Sequence, residues 1–177
     1  RLQQIQYSED FSNAYWTKSG LLTPTSGFLS PSGDLSAFKL TEDTSSNHQM
    51  YRAISGTNKT LSFFAKSDGR DWIAINCGSL TYFNVALGIV GTVSAGSVAT
   101  IESMPNGWFK CSVTETSAAY GADFSLSKDG TTTAYAGDGT SGVYIWGAQL
   151  ESGSYVTSYI PNYGTSAGIT RSAETAN

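Results

Sequence analysis

The residues that offer the clearest chemistry are a tryptophan and an asparagine on the segment Asp71–Cys77. On this segment Ile73 and Ile75 alternate with Trp72 and Asn76. Because successive side chains of a strand point to opposite faces, we expect the isoleucines in a core and Trp72 toward solvent. A flat indole ring offers an apolar platform for the C–H face of a sugar ring, and a nearby amide can pair its hydroxyl groups. We therefore predict that Trp72 stacks on a carbohydrate and that Asn76 hydrogen-bonds it.

A second set of polar side chains belongs to the segment His48–Ile54, which we expect to lie beside the first. It alternates between two faces, one with His48, Met50, Arg52 and Ile54 and the other with Gln49, Tyr51 and Ala53. Neither face is clearly apolar, so the pattern does not orient the strand. We predict that His48 and Arg52 share one ligand-binding surface with Trp72. Tyr82 is expected to extend this surface.

The distribution of charge bears on the kind of ligand. The 177 residues carry a net charge of −4, which gives a nucleic-acid partner no overall electrostatic support. Between His48 and Trp72, however, the local charge is +2, from Arg52, Lys59, Lys66 and Arg70 against Asp68 and Asp71. A solvated face explains such an excess equally simply. If the basic residues form a patch, an anionic polysaccharide is favoured, because the planar fork of arginine pairs carboxylate or sulfate oxygens two at a time.

Residues suited to catalysis are scarce. His48 is the only histidine, so neither a Ser-His-Asp arrangement nor a paired-histidine metal motif is indicated. Four aspartates lie next to a glycine, where turn formation is their usual role: Asp34, Asp68, Asp129 and Asp138. A pair of glycosidase carboxylates stays open, because that pairing is spatial. The sequence predicts a protein that is not an enzyme.

The two cysteines, Cys77 and Cys111, lack the Cys-x-x-Cys spacing of a thiolate zinc site. Each continues an apolar alternation, Cys77 after Ile75 and Cys111 between Phe109 and Val113. We predict two buried free thiols. A disulfide between facing strands is the alternative.

The element around which these segments are organised is Gly142–Glu151, where Val143 and Ile145 alternate with Tyr144 and Trp146. Both faces are apolar, so we place this strand in the centre of a sheet with material on each side. Other short alternating segments are separated by turns, and no long segment has helical periodicity. The predicted fold class is all-β, an antiparallel two-sheet β-sandwich of the jelly-roll type. Its core is predicted to include Phe63, Ile73, Ile75, Phe109, Val113, Val143 and Ile145.

Length and composition fit a single domain spanning residues 1–177. Residues 161–177 form a polar tail in which Ile169–Ser172 is predicted to add an edge strand. No apolar run approaches a membrane span and no signal-peptide pattern begins the chain, so no membrane partner is indicated. The first residue is Arg1 rather than Met, which suggests a segment of a longer precursor.

Several stretches occur in an order that resembles a known group of proteins. They are the Asp-Phe-Ser opening at Asp10–Ser12 with the later Trp16, Lys59–Lys66, Asn106–Val113, Gly142–Glu151, Thr157–Pro161 and Thr170–Glu174. Together they resemble jelly-roll carbohydrate-binding modules related to families 4, 9 and 22. The variants found in phage tail and head-fibre proteins and in secreted bacterial polysaccharide-degrading enzymes are especially similar. The likeness extends over roughly residues 5–174.

The resemblance implies a non-catalytic module whose concave sheet binds a polysaccharide or oligosaccharide and targets an appended catalytic domain to it. It also implies an extracellular protein, secreted as part of a larger precursor. Combined with the local positive charge, it points to an anionic algal (marine) or cell-wall polysaccharide. Members of the group often hold a structural calcium ion near the N-terminal turn, and by position Glu9 and Asp10 would lie near it. The last-strand aspartate of the group is replaced here by Gln149 or Glu151.

Two other functions compete with this expectation. The first is a structural or host-attachment domain of a phage tail or head fibre, although the chain lacks the heptads and repeats of a fibre shaft. The second is a small β-sandwich polysaccharide lyase that uses a tyrosine with His48 and Arg52. Which polysaccharide is bound does not follow from the residue types.

Overall fold

Two six-stranded antiparallel sheets form the computed structural model, which describes residues 1–118 and 121–171. Sheet I contains, in spatial order, β10 (Val98–Ser103), β11 (Phe109–Ala118), β6 (Thr57–Asp68), β13 (Gly142–Ser152), β4 (Ala37–Thr41) and β3 (Thr25–Phe28). Sheet II contains, in spatial order, β2 (Thr17–Ser19), β5 (Gln49–Arg52), β12 (Ala122–Ser127), β7 (Trp72–Asn76), β8 (Leu80–Asn84) and β9 (Ile89–Val90). The predicted all-β, two-sheet antiparallel sandwich is confirmed.

The chain ends and one turn complete the described structure. β1 (Leu2–Gln3) pairs with β14 (Ile169–Thr170) in a separate two-stranded sheet. The predicted edge strand Ile169–Ser172 is therefore present in part, and its last residue lies outside the described residues. A 3₁₀ turn spans Pro105–Gly107. Within residues 1–118 and 121–171, no helix has the length and apolarity that a membrane span requires.

The core lies between the two sheets and is filled by the alternating side chains that the sequence indicates. Phe63, Ile73, Ile75, Val113, Val143 and Ile145 are all buried in it, and Phe109 is partly buried against it. Phe63 meets Phe83 of sheet II at a ring-centroid distance of 5.8 Å and Phe124 at 5.2 Å. Edge-to-face pairs of this kind add to the stabilisation that apolar burial provides.

The strand β13 is central, as its two apolar faces predict, because it pairs with β6 on one side and β4 on the other. Its outward aromatic side chains belong to a second apolar cluster, on the outer face of sheet I, with Phe64 and Trp108. In this cluster the ring of Trp146 lies 4.8 Å from that of Tyr159, and its Nε1 donates to Ser36 Oγ at 2.8 Å. The outer face of sheet I is therefore covered by the chain around Ser36 and Tyr159.

The cysteines and three of the four glycine-flanked aspartates have the structural roles that the sequence predicts. Cys77 and Cys111 are buried free thiols, and burial raises the pKa of Cys111. Asp34, Asp129 and Asp138 accept hydrogen bonds from groups two or three residues further along their own turns. The fourth, Asp68, pairs instead with Lys39 Nζ at 2.7 Å.

Candidate functional site

Sheet II exposes a face that the rest of the chain covers only in part. The sequence predicted that the strands β5 and β7 are neighbours. In the structure they are separated, because β12 pairs with both of them. Side chains from the three adjacent strands β5, β12 and β7 therefore share the outer face. The predicted direct neighbourhood of β5 and β7 is therefore wrong, since strand pairing joins segments far apart in the chain.

The orientation of β5 is opposite to the one predicted for ligand binding. Met50 is fully buried in the core, so the alternating face that it shares with His48 and Arg52 points inward. The outward side chains of this strand are Gln49 and Tyr51. Because both faces of this segment mix polar and apolar residues, the sequence pattern could not indicate this orientation.

His48 is 1% exposed and is held by two backbone carbonyl groups. Its Nδ1 lies 2.7 Å from the oxygen of Gly20, and its Nε2 lies 3.2 Å from the oxygen of Tyr135. Both ring nitrogens are thus engaged within the protein. The ring links the strand entering β5 to two loops, and the residue lines the groove described below.

Arg52 is exposed, but its alternation with Tyr51 directs it away from the outer face. Its guanidinium lies over the ring of Tyr15 at 4.4 Å, and its Nη1 donates to the Tyr15 carbonyl at 3.4 Å. The other basic residues of the segment are dispersed, since Lys59 is buried and Arg70 is paired with Glu42. The local charge of +2 therefore does not correspond to one cationic patch.

Trp72 faces outward as predicted, but two glycines lie against its ring. A Cβ atom at Gly130 would lie 2.7 Å from both Cδ2 and Cε2 of the indole, so the backbone of this turn covers the ring face. A Cβ atom at Gly91 would lie 2.7 Å from Cζ3. The other tryptophans are more deeply buried, namely Trp16, Trp108 and Trp146. Trp72 is thus a covered ring, and stacking on a sugar would require these turns to move.

This contact makes Gly130→Ala a sharp test of the packing on Trp72. Gly130 has a φ of +76°, which already disfavours a side chain, and the added methyl group would collide with the indole. We expect a loss of about 2–3 kcal/mol in the free energy of unfolding and a red shift of tryptophan fluorescence. Gly96→Ala is the control, because Gly96 has a similar φ of +82° with open space around it. Equal losses for the two variants would contradict the contact.

Tyr82 lies next to this covered region and is 4% exposed. It is the cross-strand neighbour of Ala74, and its backbone pairs with Gly91 and Thr92. Burial, and secondarily the charge of Asp129, raises the pKa of its hydroxyl group. Tyr82 therefore helps to close one end of the face rather than extending an open surface.

The open part of the face is a groove of about 460 Å³ beside Asn76. Its walls consist mainly of amide and hydroxyl side chains with backbone at one edge: Asn47, His48, Gln49, Asn76, Gly78, Ser79, Leu80, Ser125 and Thr133. Ser125 is short and lies between Gln49 and Ala74 in the register of the sheet, which leaves room above it. Neither lysine nor arginine lines the groove.

A carboxylate lies beside this groove, between the amides of two of its lining residues. Gln49 Nε2 donates to Asp123 Oδ1 at 2.8 Å, and Asn76 is a second hydrogen-bonding partner of the same carboxylate. Partial burial raises the pKa of Asp123, and the hydrogen bonds from the two amides counteract part of that increase. A fixed, partly desolvated carboxylate of this kind is a strong hydrogen-bond acceptor for ligand hydroxyl groups.

Tyr51, Asp123 and Asn76 form a row across the three strands β5, β12 and β7, and Tyr51 adds an exposed aromatic ring to it. It is the direct cross-strand partner of Asp123 and is 37% exposed. The sequence held a signal for this row, because Ala122, Phe124 and Leu126 alternate with Asp123, Ser125 and Ser127. That alternation predicts Asp123 on the outer face, and the pairing register then identifies Tyr51 as its neighbour.

The residues expected near a calcium ion have other partners. Glu9 Oε2 accepts hydrogen bonds from the hydroxyl groups of Tyr159 and Tyr163, at 2.8 and 3.1 Å. Asp10 Oδ1 accepts from the Ser12 hydroxyl at 2.6 Å. Among residues 1–118 and 121–171, no group of three or more acidic, histidine or cysteine side chains is placed to hold a metal ion. The oxygen atoms of the N-terminal turn do not fit a calcium site, because the ammonium group of Lys18 already lies among its backbone carbonyl oxygens.

Comparison with known proteins found no family model that matches this chain and no curated protein that matches it.

Proposed function

We propose that this chain binds a neutral, hydroxyl-rich polysaccharide or oligosaccharide in the groove on the outer face of sheet II. The observation that supports this most directly is the row Tyr51, Asp123, Asn76 across three adjacent strands. It combines an exposed aromatic ring, a fixed carboxylate and a primary amide beside an open groove. Sugar rings present an apolar C–H face and several hydroxyl donors, and this row complements both.

The choice of a neutral ligand follows from the charges at the groove. The sequence favoured an anionic chain because of the local charge of +2 between His48 and Trp72, but the basic residues of that segment do not gather at the groove. The carboxylate of Asp123 lies beside the groove, held by the lining residues Gln49 and Asn76. A carboxylate repels uronic-acid or sulfated polymers and accepts hydrogen bonds from neutral sugars.

A binding role without turnover is consistent with the same geometry. Glycoside hydrolysis uses a pair of carboxyl groups that flank the scissile bond. Among the described residues no acidic side chain lines the groove, and the carboxylate of Asp123 lies beside it, held by Gln49. The lyase alternative needs a tyrosine, His48 and Arg52 together at the ligand, but both ring nitrogens of His48 face backbone carbonyls and Arg52 lies over the ring of Tyr15. The proposed role is therefore to attach an appended catalytic domain of a secreted, extracellular protein to its polysaccharide.

The proposal is tested by affinity electrophoresis and calorimetry on paired neutral and anionic polysaccharides. Tyr51→Ala and Asp123→Asn are each expected to weaken binding roughly tenfold or more, as loss of a stacking ring or a charged acceptor costs about 1–3 kcal/mol. Tyr155→Ala is the matched control, because Tyr155 is 64% exposed and belongs neither to the groove lining nor to the strands β5, β12 and β7.

Two results would contradict the proposal. Binding confined to anionic polymers and weakened by salt would restore the charge-based expectation. Retention of full affinity by both Tyr51→Ala and Asp123→Asn would place the site elsewhere on the protein.

A further inference from the structure

Three successive backbone carbonyl groups near the N-terminus converge on one ammonium group. Lys18 Nζ donates to the carbonyl oxygens of Phe11 at 3.2 Å, Ser12 at 3.4 Å and Asn13 at 3.0 Å. We refer to these three oxygens as the carbonyl cage. The three oxygens meet at the same ammonium group, so their partial negative charges add at one place.

The cage is held in shape by the turn itself. Asp10 Oδ1 accepts from the backbone N–H of Ser12, and Asn13 Oδ1 accepts from that of Tyr15. The turn is anchored in the core by Phe11 and Trp16, whose rings lie 5.4 Å apart. The carbonyl oxygens therefore have few ways to turn toward other partners.

Lys18 reaches the cage from the inward side of the sheet. It lies on β2 opposite Met50, a core residue, so its aliphatic stem passes along apolar side chains. Burial lowers the pKa of Lys18 and the charge of Asp10 counteracts this effect, so the ammonium group is partly desolvated. The carbonyl oxygens replace the water that the ammonium group has lost.

We propose that the ammonium group of Lys18 is the resident cation of the N-terminal turn, in the place of a bound metal ion. Backbone carbonyls are hard oxygen ligands of the kind that calcium uses. The same three oxygens cannot serve both cations, because a divalent ion within coordination distance of them would also lie against Nζ and be repelled by it. The turn is therefore ordered, and the domain stabilised, without calcium.

The test is thermal unfolding of the full chain in excess EDTA and in millimolar CaCl₂. The wild-type melting temperature is expected to be the same in both. Lys18→Met keeps the aliphatic stem and removes the charge, and in EDTA it should melt lower by about 5 °C. Lys18→Arg, which keeps the charge and the donors, should melt between the two. Lys128→Met, at an exposed lysine in a distant turn, is the control and should melt like the wild type.

Two outcomes would overturn the inference. One is a wild-type melting temperature that rises in CaCl₂, because a metal ion would then supply the cation. The other is a Lys18→Met variant that melts together with Lys128→Met. If Lys18→Met fails to fold, the comparison of the wild-type protein in EDTA and CaCl₂ still decides the question.

Discussion

Replacing Arg70 with methionine is expected to lower the free energy of unfolding by about 3–5 kcal/mol, because it leaves a buried carboxylate without its cation. Glu42 has no exposed side-chain surface and receives two parallel hydrogen bonds from Arg70, at 2.8 and 2.7 Å. It also accepts from the Tyr135 hydroxyl at 2.5 Å and from the backbone N–H of Asp138 at 2.9 Å. The pair thus fastens the loop between β12 and β13 to the end of β4.

A surface ion pair of the same length provides the control for this variant. Lys39 Nζ lies 2.7 Å from Asp68 Oδ2, as close as Arg70 is to Glu42, but the Asp68 side chain is 40% exposed. Lys39→Met should therefore cost about 1 kcal/mol or less. Urea denaturation at neutral pH measures both variants. Similar losses for Arg70→Met and Lys39→Met would show that burial does not set the strength of the pair.

Acid should reduce the difference between wild type and Arg70→Met. Burial alone would raise the pKa of Glu42, but the hydrogen bonds from Arg70 and Tyr135 outweigh it and lower the pKa. A lowered folded-state pKa contributes stability that is present above the unfolded value, about 4.3, and is lost as the pH falls through the folded value. Without Arg70 the buried carboxylate titrates higher, so the variant loses less on acidification. Denaturation curves at pH 7 and near pH 3 measure this change; a constant difference would contradict it.

The ion pair between Arg70 and Glu42 also supports the groove. Thr133 and Tyr135 belong to the loop that Glu42 and Arg70 hold, and Thr133 lines the groove. We therefore expect Arg70→Met, assayed well below its melting temperature, to weaken ligand binding as well. Lys39→Met should leave binding unchanged.

Replacing Gln3 with alanine is the second variant for which we expect a large loss, about 3 kcal/mol or more. The side chain is fully buried and makes four hydrogen bonds. Its Nε2 donates to the carbonyls of Ala148 and Ile160, both at 3.0 Å, and its Oε1 accepts from the backbone N–H groups of Ile5 and Leu150 at 3.0 and 3.1 Å. Truncation leaves four buried backbone groups without partners, and each costs roughly 1–3 kcal/mol unless water replaces the amide.

Gln6→Ala is the control for this variant, because Gln6 is a nearby glutamine that is only partly buried. Its loss should stay within about 1 kcal/mol. Urea denaturation measures both, and equal midpoints would contradict the role given to Gln3. Binding by the folded fraction of Gln3→Ala should match wild type, because the side chain bonds to β13 and to the chain near Ile160 and is not part of the groove lining.

The sequence by itself determined the fold class and the orientation of several strands. Where one face of a segment is clearly apolar, as at Ile73 and Ile75, two-residue alternation decides which side chains are buried. The central place of β13 followed from its two apolar faces, and the turn roles of Asp34 and Asp138 followed from their glycine neighbours. These properties depend on residues close together in the chain.

Only the tertiary structure decided the candidate site. The insertion of β12 between β5 and β7 brings Asp123 to Tyr51 and Asn76, and it depends on pairing between segments more than 40 residues apart. The burial of Met50 decided which face of β5 points to the core. His48 and Arg52, which alternate with Gln49 and Tyr51, are therefore directed away from the outer face. The contact between Gly130 and the ring of Trp72 depends on the path of the loop that follows β12. Local alternation carries no information about which distant segment lies alongside, because that choice depends on the packing of the whole core.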